Sequence, residues 1–177
     1  PPGFMRVSGR SILGIAKTLE LRKLKKGEDF NGIYRALGSY NFIRSGDVIV
    51  VQSDVKGKAY FGDLNANIAI RSGAVGAVVD SFTRDSVELN GLEFSVFAKG
   101  VYSDDIKFEG TTAAMNRPIK IGDVTINNGG AGGAIWHFEQ RCVLCAIGPS
   151  AGISAVSHFV NSIPKILDAE PGLRTMR

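Results

Sequence analysis

SGDVIVVQSDVKGKAYFGDLNANIAIRSGAVGAVVDS, residues 45–81, carries two apolar β-branched runs around a helical pattern. Ser45-Gly46-Asp47 is a turn, and Val48-Ile49-Val50-Val51 is an unbroken β-branched run of the kind found in a strand buried on both faces. Lys58-Ala59-Tyr60-Phe61 predicts a short strand ending at Gly62. Leu64 to Ser72 predicts a helix, with Leu64, Ile68 and the small Ala66 and Ala69 on its inner side and Gly73 as its stop. Ala74 to Val79 is a second buried strand, ended by Asp80-Ser81. Strand, helix and strand at this spacing form a right-handed crossover, so the sheet is at least partly parallel and the fold class is α/β.

Upstream, Ile12, Ile15, Ala16, Leu19, Leu21 and Leu24 mix helical and strand spacings, and Gly14 argues against a long helix, so a strand is expected. Asp29 to Leu37 predicts a helix with Phe30, Ile33, Tyr34 and Leu37 on one face and Gly38 as C-cap. Downstream, strands are expected at Phe94 to Ala98, Pro118 to Ile121 and Val124 to Ile126, the last two joined by a Gly122-Asp123 hairpin turn. Beyond Asn127 the character changes: Asn127 to Gly133 reads Asn-Asn-Gly-Gly-Ala-Gly-Gly, and the residues after it show weak periodicity. A core of residues 1–126 and a divergent tail of residues 127–177 are expected.

Composition narrows the class further. The 177 residues are 44% hydrophobic and 21% charged, enough for one soluble domain that buries roughly 70% of its unfolded surface without a disulfide or metal staple. Cys142 and Cys145 are too few for a disulfide framework. No apolar run approaches the roughly 20 residues needed to span a bilayer, and no signal-peptide pattern opens the chain, so the cytoplasm is the expected location. Pro1-Pro2 without an initiator Met suggests an internal cut or processed end.

The net charge of +4 is uneven, with +6 over residues 1–60 and −2 over the rest. Its local density is Lys17, Arg22, Lys23, Lys25 and Lys26. Clustered cations are the electrostatic signature of nucleic-acid binding. No aromatic residues interleave this run and no known binding motif surrounds it, so it is read as a solvated strand and turn, with no nucleic acid expected.

The candidate chemistry lies in Gly62-Asp63-Leu64 and Arg84-Asp85. A nine-residue helix is roughly 14 Å long and a returning strand of five to six residues spans roughly 17 to 20 Å, so the loop holding Arg84 and Asp85 can lie beside the helix N-terminus. Free amides and the positive helix end seat a carboxylate or phosphate there. An Arg adds a donor fork, and two carboxylates can hold a hard divalent cation through oxygens and waters. The implied ligand is a small anion bound through a metal. The plainer alternative makes Asp63 an N-cap and Arg84-Asp85 a loop ion pair.

The segments Gly46-Asp47-Val48-Ile49-Val50-Val51, Phe61-Gly62-Asp63-Leu64-Asn65-Ala66, Gly73 to Asp80 and Arg84-Asp85 resemble the core signature of the RraA-like family, which includes regulator of ribonuclease activity A and the class II 4-hydroxy-4-methyl-2-oxoglutarate (HMG) aldolases. The resemblance runs from about Gly9 to Asn127, and twenty residues, 64 to 83, separate Asp63 from Arg84 as in the aldolases. It implies a mixed sheet in a swivelling β/β/α-type domain, and trimers or hexamers with active sites between subunits. It also implies a divalent-metal-dependent aldolase that cleaves a 4-hydroxy-2-oxo acid to pyruvate, with oxaloacetate decarboxylation as a side activity. Asp85 would be the direct protein ligand of Mg²⁺ or Mn²⁺. Arg84 would hold the keto or enolate oxygen of pyruvate, and the backbone of Gly62, Asp63, Leu64 and Asn65 its carboxylate. Asp63 would orient a metal-bound water exchanging a proton with the substrate hydroxyl. Members resembling the ribonuclease regulator lack the metal-binding Asp and act by binding a ribonuclease or helicases, so Asp85 favours the enzyme, with a regulator of an RNA-processing enzyme as the alternative. Some members carry a methyltransferase label, for which no glycine-rich nucleotide loop follows a first strand here.

The aldolases also supply a Glu from a C-terminal tail to the neighbouring subunit's site; Asn127-Asn128-Gly129-Gly130 replaces the expected run, and Glu139 and Glu170 match by residue type only. In the same tail Cys142-x-x-Cys145 with His137 nearby is too small a ligand set for a structural zinc. Gly148 to Gly152 fits a nucleophile-elbow pattern without the acid-then-His order a hydrolase needs, because His158 comes after it with no acid between.

Overall fold

The computed structural model describes residues 3–9, 12–137 and 141–147, with the backbone alone over 131–137 and 141–147. The β-branched run forms β3 (Asp47–Ser53), which lies in mid-sheet between β2 (Ile12–Lys23) and β5 (Gly76–Thr83), parallel to both. β6 (Ser95–Val101) adds a fourth parallel strand beyond β5, and β1 (Met5–Ser8) closes that edge antiparallel. On its other side the long β2 takes two antiparallel partners in succession. Its first residues, 12–15, meet β10 (Ala131–His137), and residues 19–23 meet β7 (Gly110–Met115). β11 (Arg141–Ile147) pairs with β10, and the short β4 (Ala59–Phe61) pairs parallel with the far end of β5.

Both faces of this sheet are buried, which is why its central strands are apolar without alternation. Ile49 and Val51 of β3, Ala77 and Val79 of β5 and Val96 and Ala98 of β6 point to one core. That core is roofed by α1 (Asp63–Ser72), by α2 (Ser86–Asn90) and by a 3₁₀ run, Phe30–Phe42. Val48, Val50, Val78 and Phe97 point to the other, closed by the hairpin of β8 (Ile119–Ile121) and β9 (Val124–Ile126) through Ile119, Ile121 and Ile126. Hairpin, sheet and helices stack as β/β/α layers, the mixed-sheet α/β arrangement expected.

Local differences from the sequence reading have physical causes. The Asp29–Leu37 helix is instead a 3₁₀ run that passes Gly38 and ends at Phe42. Its buried residues are Ile33, Ala36 and Tyr40, while Tyr34 and Leu37 are exposed, so the inner face is the one that carries the small Ala36. Asp29 does start it, accepting from the Asn31 amide at 2.9 Å. Gly73, at φ 96°, ends α1 as read, and Ala66 and Ala69 are fully buried, but Leu64, in the first turn, is 60% exposed. β5 continues through Asp80-Ser81 to Thr83 because β4 and β6 extend its pairing. β1, β7, α2, β10 and β11 were not anticipated.

Tyr40 and the Tyr60 hydroxyl meet inside the helix-side core. Burial raises the pKa of both hydroxyls above the ordinary tyrosine value, and for Tyr40 the neighbouring Tyr60 raises it further. A group that holds its proton more tightly when folded removes stability once the unfolded form starts to ionise, so stability falls as pH rises past about 10. Ultraviolet absorbance should register these two phenolates only with alkaline unfolding. A Tyr40→Phe/Tyr60→Phe double variant should lose less stability over that range by urea denaturation, and an equal loss would contradict this account.

Candidate functional site

The cleft is assembled by one stretch of strand pairing. Phe61 of β4 stands opposite Thr83 of β5, its carbonyl accepting from the Arg84 amide at 2.9 Å and from Thr83 Oγ1 at 2.8 Å. The residues that follow each strand end, Gly62-Asp63 and Arg84-Asp85, are thereby set side by side. Gly62 is the N-cap of α1, and a Cβ placed there would collide with Asp85 Oδ2 and lie 3.2 Å from Arg84 Cγ. A side chain at this position would have to push the Asp85 carboxylate aside, so glycine leaves room for that carboxylate to reach the Asp63 amide.

Asp85 sits in the left-handed region at φ 57° and ψ 40°, a conformation that Asp adopts more readily than most residues. Its carbonyl accepts from the Leu89 amide at 2.8 Å as α2 begins. Its Oδ2 accepts from the Asp63 amide at 3.2 Å and lies 3.5 Å from Arg84 Nε. The Arg84 guanidinium also pairs, through Nη1, with Asp105 Oδ2. Asp105 is held in turn by the Lys107 amide, which donates to its Oδ1 at 2.6 Å. Asp63, Arg84 and Asp85 line one open cleft of about 470 Å³ with Val101, Tyr102 and Ser103.

The first turn of α1 is already occupied by the chain's own carboxylates. Asp85 takes the Asp63 amide, and Asp63 Oδ1 accepts from the Leu64 amide at 2.6 Å. Asn65 turns its side chain away, donating to the Tyr60 carbonyl at 2.9 Å. Of the six residues expected at the site, Gly62, Asp63, Arg84 and Asp85 are in contact, whereas Leu64 offers backbone alone and the Asn65 side chain braces β4. Glu139, Glu170, His158 and Gly148 to Gly152 lie outside the described residues. Cys142 and Cys145 both fall in β11 and His137 ends β10.

Among the described residues no three Asp, Glu, His or Cys side chains converge as a metal cluster. A divalent cation here would therefore depend on Asp85. Its Oδ1 accepts no hydrogen bond among the described residues, and one carboxylate oxygen beside an open cleft suits a hard ion that keeps most of its waters.

Asp105, Tyr102 and Ser103 were missed by the sequence reading. They follow β6 as Arg84-Asp85 follow β5, and adjacent parallel strands deliver their following loops to the same edge. Binding at the carboxyl ends of parallel strands was the signal available.

A mixed-sheet α/β domain with a carboxylate-and-guanidinium cleft at the carboxyl ends of its parallel strands is thus the class defined by fold and site. A family model described as RraA-like, Aldolase/RraA, matches residues 2–131, and the chain belongs to that family. Its fold resembles Streptomyces coelicolor RraAS2, described as an unusual member of the RNase ES inhibitor RraA protein family. The TM-score is 0.71 at 21% identity, over 99% of this chain and 82% of that one. The RNA-processing inhibitor RraA from Thermus thermophilis aligns with TM-score 0.65 at 21% identity, over 86% of this chain and 87% of its own. A structure described among novel cellulases from microbes associated with the gut ecosystem aligns with TM-score 0.77 at 18% identity, over 93% and 73%. No curated protein matches the chain in sequence. Among the described residues no helix is long and apolar enough to cross a membrane.

Gly62→Ala is expected to push the Asp85 carboxylate off the Asp63 amide and lower stability by about 1 kcal/mol, the usual net value of one hydrogen bond. Urea denaturation measures this; a variant as stable as the parent would show that the approach is looser than described.

Proposed function

We propose that the protein is a divalent-metal-dependent lyase of the HMG-aldolase type that cleaves a 4-hydroxy-2-oxo acid to pyruvate. The observation that carries this reading is the meeting of Asp63, Arg84 and Asp85 around one cleft. Retro-aldol cleavage breaks the bond between carbons 3 and 4 only if the enolate left on the pyruvate half is stabilised as the other half becomes a carbonyl. Arg84 lines the cleft where that oxyanion would develop, and a donor held in place by Asp85 and Asp105 stabilises such charge most once water is excluded. The amides of Asp63 and Leu64, now taken by Asp85 and Asp63, are the seats a substrate carboxylate would claim. Asp63, once displaced from the Leu64 amide, is free to accept the substrate hydroxyl proton through one water as general base. Asp85 would hold Mg²⁺ or Mn²⁺, which when bound supplies Lewis-acid stabilisation of the same enolate oxygen. Decarboxylation of oxaloacetate needs the same enolate and belongs to the reading as a side activity. So does a trimer or hexamer, in which a neighbouring subunit would supply the wall this open cleft lacks.

The second reading is a non-catalytic protein that binds and regulates an RNA-processing enzyme. It is supported by the inhibitor descriptions of the Streptomyces and Thermus relatives and by the engagement of Arg84 with two internal carboxylates.

Pyruvate release from HMG with Mg²⁺ or Mn²⁺ decides between them. Activity should vanish with chelator and fall at least ~100-fold in Asp85→Ala and in Arg84→Ala, as for loss of an oxyanion donor. Absence of metal-dependent pyruvate release from any 4-hydroxy-2-oxo acid, together with inhibition of a ribonuclease by the purified protein, would establish the second reading instead.

A further inference from the structure

The basic run and a set of exposed aromatic rings that are far from it in sequence form one surface. Lys23 at the end of β2 pairs with Gly110, and the Leu24 amide donates to the Glu109 carbonyl at 2.7 Å, so the turn of residues 24–29 lies against the loop that carries Lys107 and Phe108. The Phe30 and Phe108 rings are 4.6 Å apart. Lys107 Nζ lies 5.5 Å from the Phe30 ring, 5.7 Å from Tyr34 and 5.1 Å from Phe108. Tyr34 is 47% exposed and Phe108 63%.

Two features set this surface apart from an ordinary solvated face. Phe108 holds φ 72°, a strained conformation for a bulky side chain, and the largely exposed ring recovers little of that cost by burial. Two acids within the patch, Glu28 and Glu109, are also already paired with cations. Glu28 is gripped by both Nη atoms of Arg22 at 2.8 Å, and Arg22 together with the Lys25 amide holds its carboxyl down at about 2. Glu109 pairs with Lys58 at 3.2 Å, and Asp29 caps the 3₁₀ run. Lys23, Lys25, Lys26, Arg35 and Lys107 form no ion pair among the described residues. Unpaired cations next to exposed rings match a charged backbone that carries flat, unstacked bases.

We propose that this ledge binds single-stranded nucleic acid, Phe108 and Tyr34 stacking on bases while Lys23, Lys25, Lys26 and Arg35 contact phosphates. The surface is separate from the Arg84 cleft, and its binding does not depend on catalysis there.

The test is fluorescence anisotropy with labelled oligouridylate and oligothymidylate of about 12 nucleotides at about 50 mM salt. Binding to either, weakening as salt rises, supports the proposal; the RNA and DNA arms decide which sugar is preferred. Replacing Lys23, Lys25 and Lys26 by Ala should reduce the slope of log K against log salt by about 2, since each phosphate contact on a single strand contributes ~0.7. Phe108→Gly, which suits the positive φ and should leave the fold as stable or more so, is expected to weaken binding about tenfold; Tyr34→Ala is the second ring variant. No binding to either strand, undiminished binding in both ring variants, or a duplex bound as tightly as the single strands would each overturn the proposal. Tighter capture of an acidic peptide than of the oligonucleotides would overturn it in favour of a protein partner.

Discussion

The pairing of Phe61 with Thr83 is the constraint on which the cleft depends. Neither strand end would bring chemistry to the other unless β4, only three residues long, were held in register against β5. Two donors, the Arg84 amide and Thr83 Oγ1, converge on the Phe61 carbonyl to fix that register, and Thr83 and Phe61 are both fully buried. The bonds are therefore shielded from water, where they are stronger and costlier to break than at the surface. After the strands the chain continues extended through Gly62 into α1, while Asp85 turns left-handed into α2 and brings its carboxylate back to the Asp63 amide.

Electrostatics at the cleft follow from that geometry. A helix start and a guanidinium create a concentration of donors, and three carboxylates, Asp63, Asp85 and Asp105, answer it. Each contact is partly exposed, so each is weak singly, and a ligand carboxylate can exchange with one of them at little net cost. An arrangement of exchangeable internal ion pairs is better suited to taking up a small anion than an apolar pocket would be.

The crossover of β3, α1 and β5 was legible because β-branched runs, small inner residues and a terminal Gly73 all carried the same message over one stretch. Asp63, Arg84 and Asp85 were legible for the same reason: helix and strand lengths returned the chain to its starting level. Asp105 was not, since its place depends on β6 lying next to β5, a pairing between segments whose local pattern says nothing about neighbours. The inner face of the 3₁₀ run was misplaced because Ile33, Ala36 and Tyr40 recur at the same average spacing as Ile33, Tyr34 and Leu37, and the small Ala36 marks its side less strongly than the large Tyr34 and Leu37 mark theirs. The basic run was judged by its sequence neighbours alone. The rings that flank it come from Phe30, Tyr34 and Phe108, and Phe108 arrives only through the pairing of β2 with β7.

One loop, residues 102–109, joins the cleft to the ledge, and its single buried apolar side chain explains how. Ile106 is 3% exposed; its amide donates to the Ala59 carbonyl at 3.0 Å, and its carbonyl accepts from Glu109 and Gly110. The loop is thus pinned at its middle to β4. Residues before the pin, Tyr102, Ser103 and Asp105, face the cleft, and those after it, Lys107 and Phe108, face the ledge. Gly110 completes the pin, because a Cβ there would lie 2.6 Å from the Ile106 side chain. Strain at Phe108 is tolerated because the bonds on either side of it fix the backbone, and the same bonds hold Asp105 against Arg84. A surface ring and a cleft carboxylate therefore owe their positions to one buried isoleucine, pinned to the strand that also sets the cleft's register.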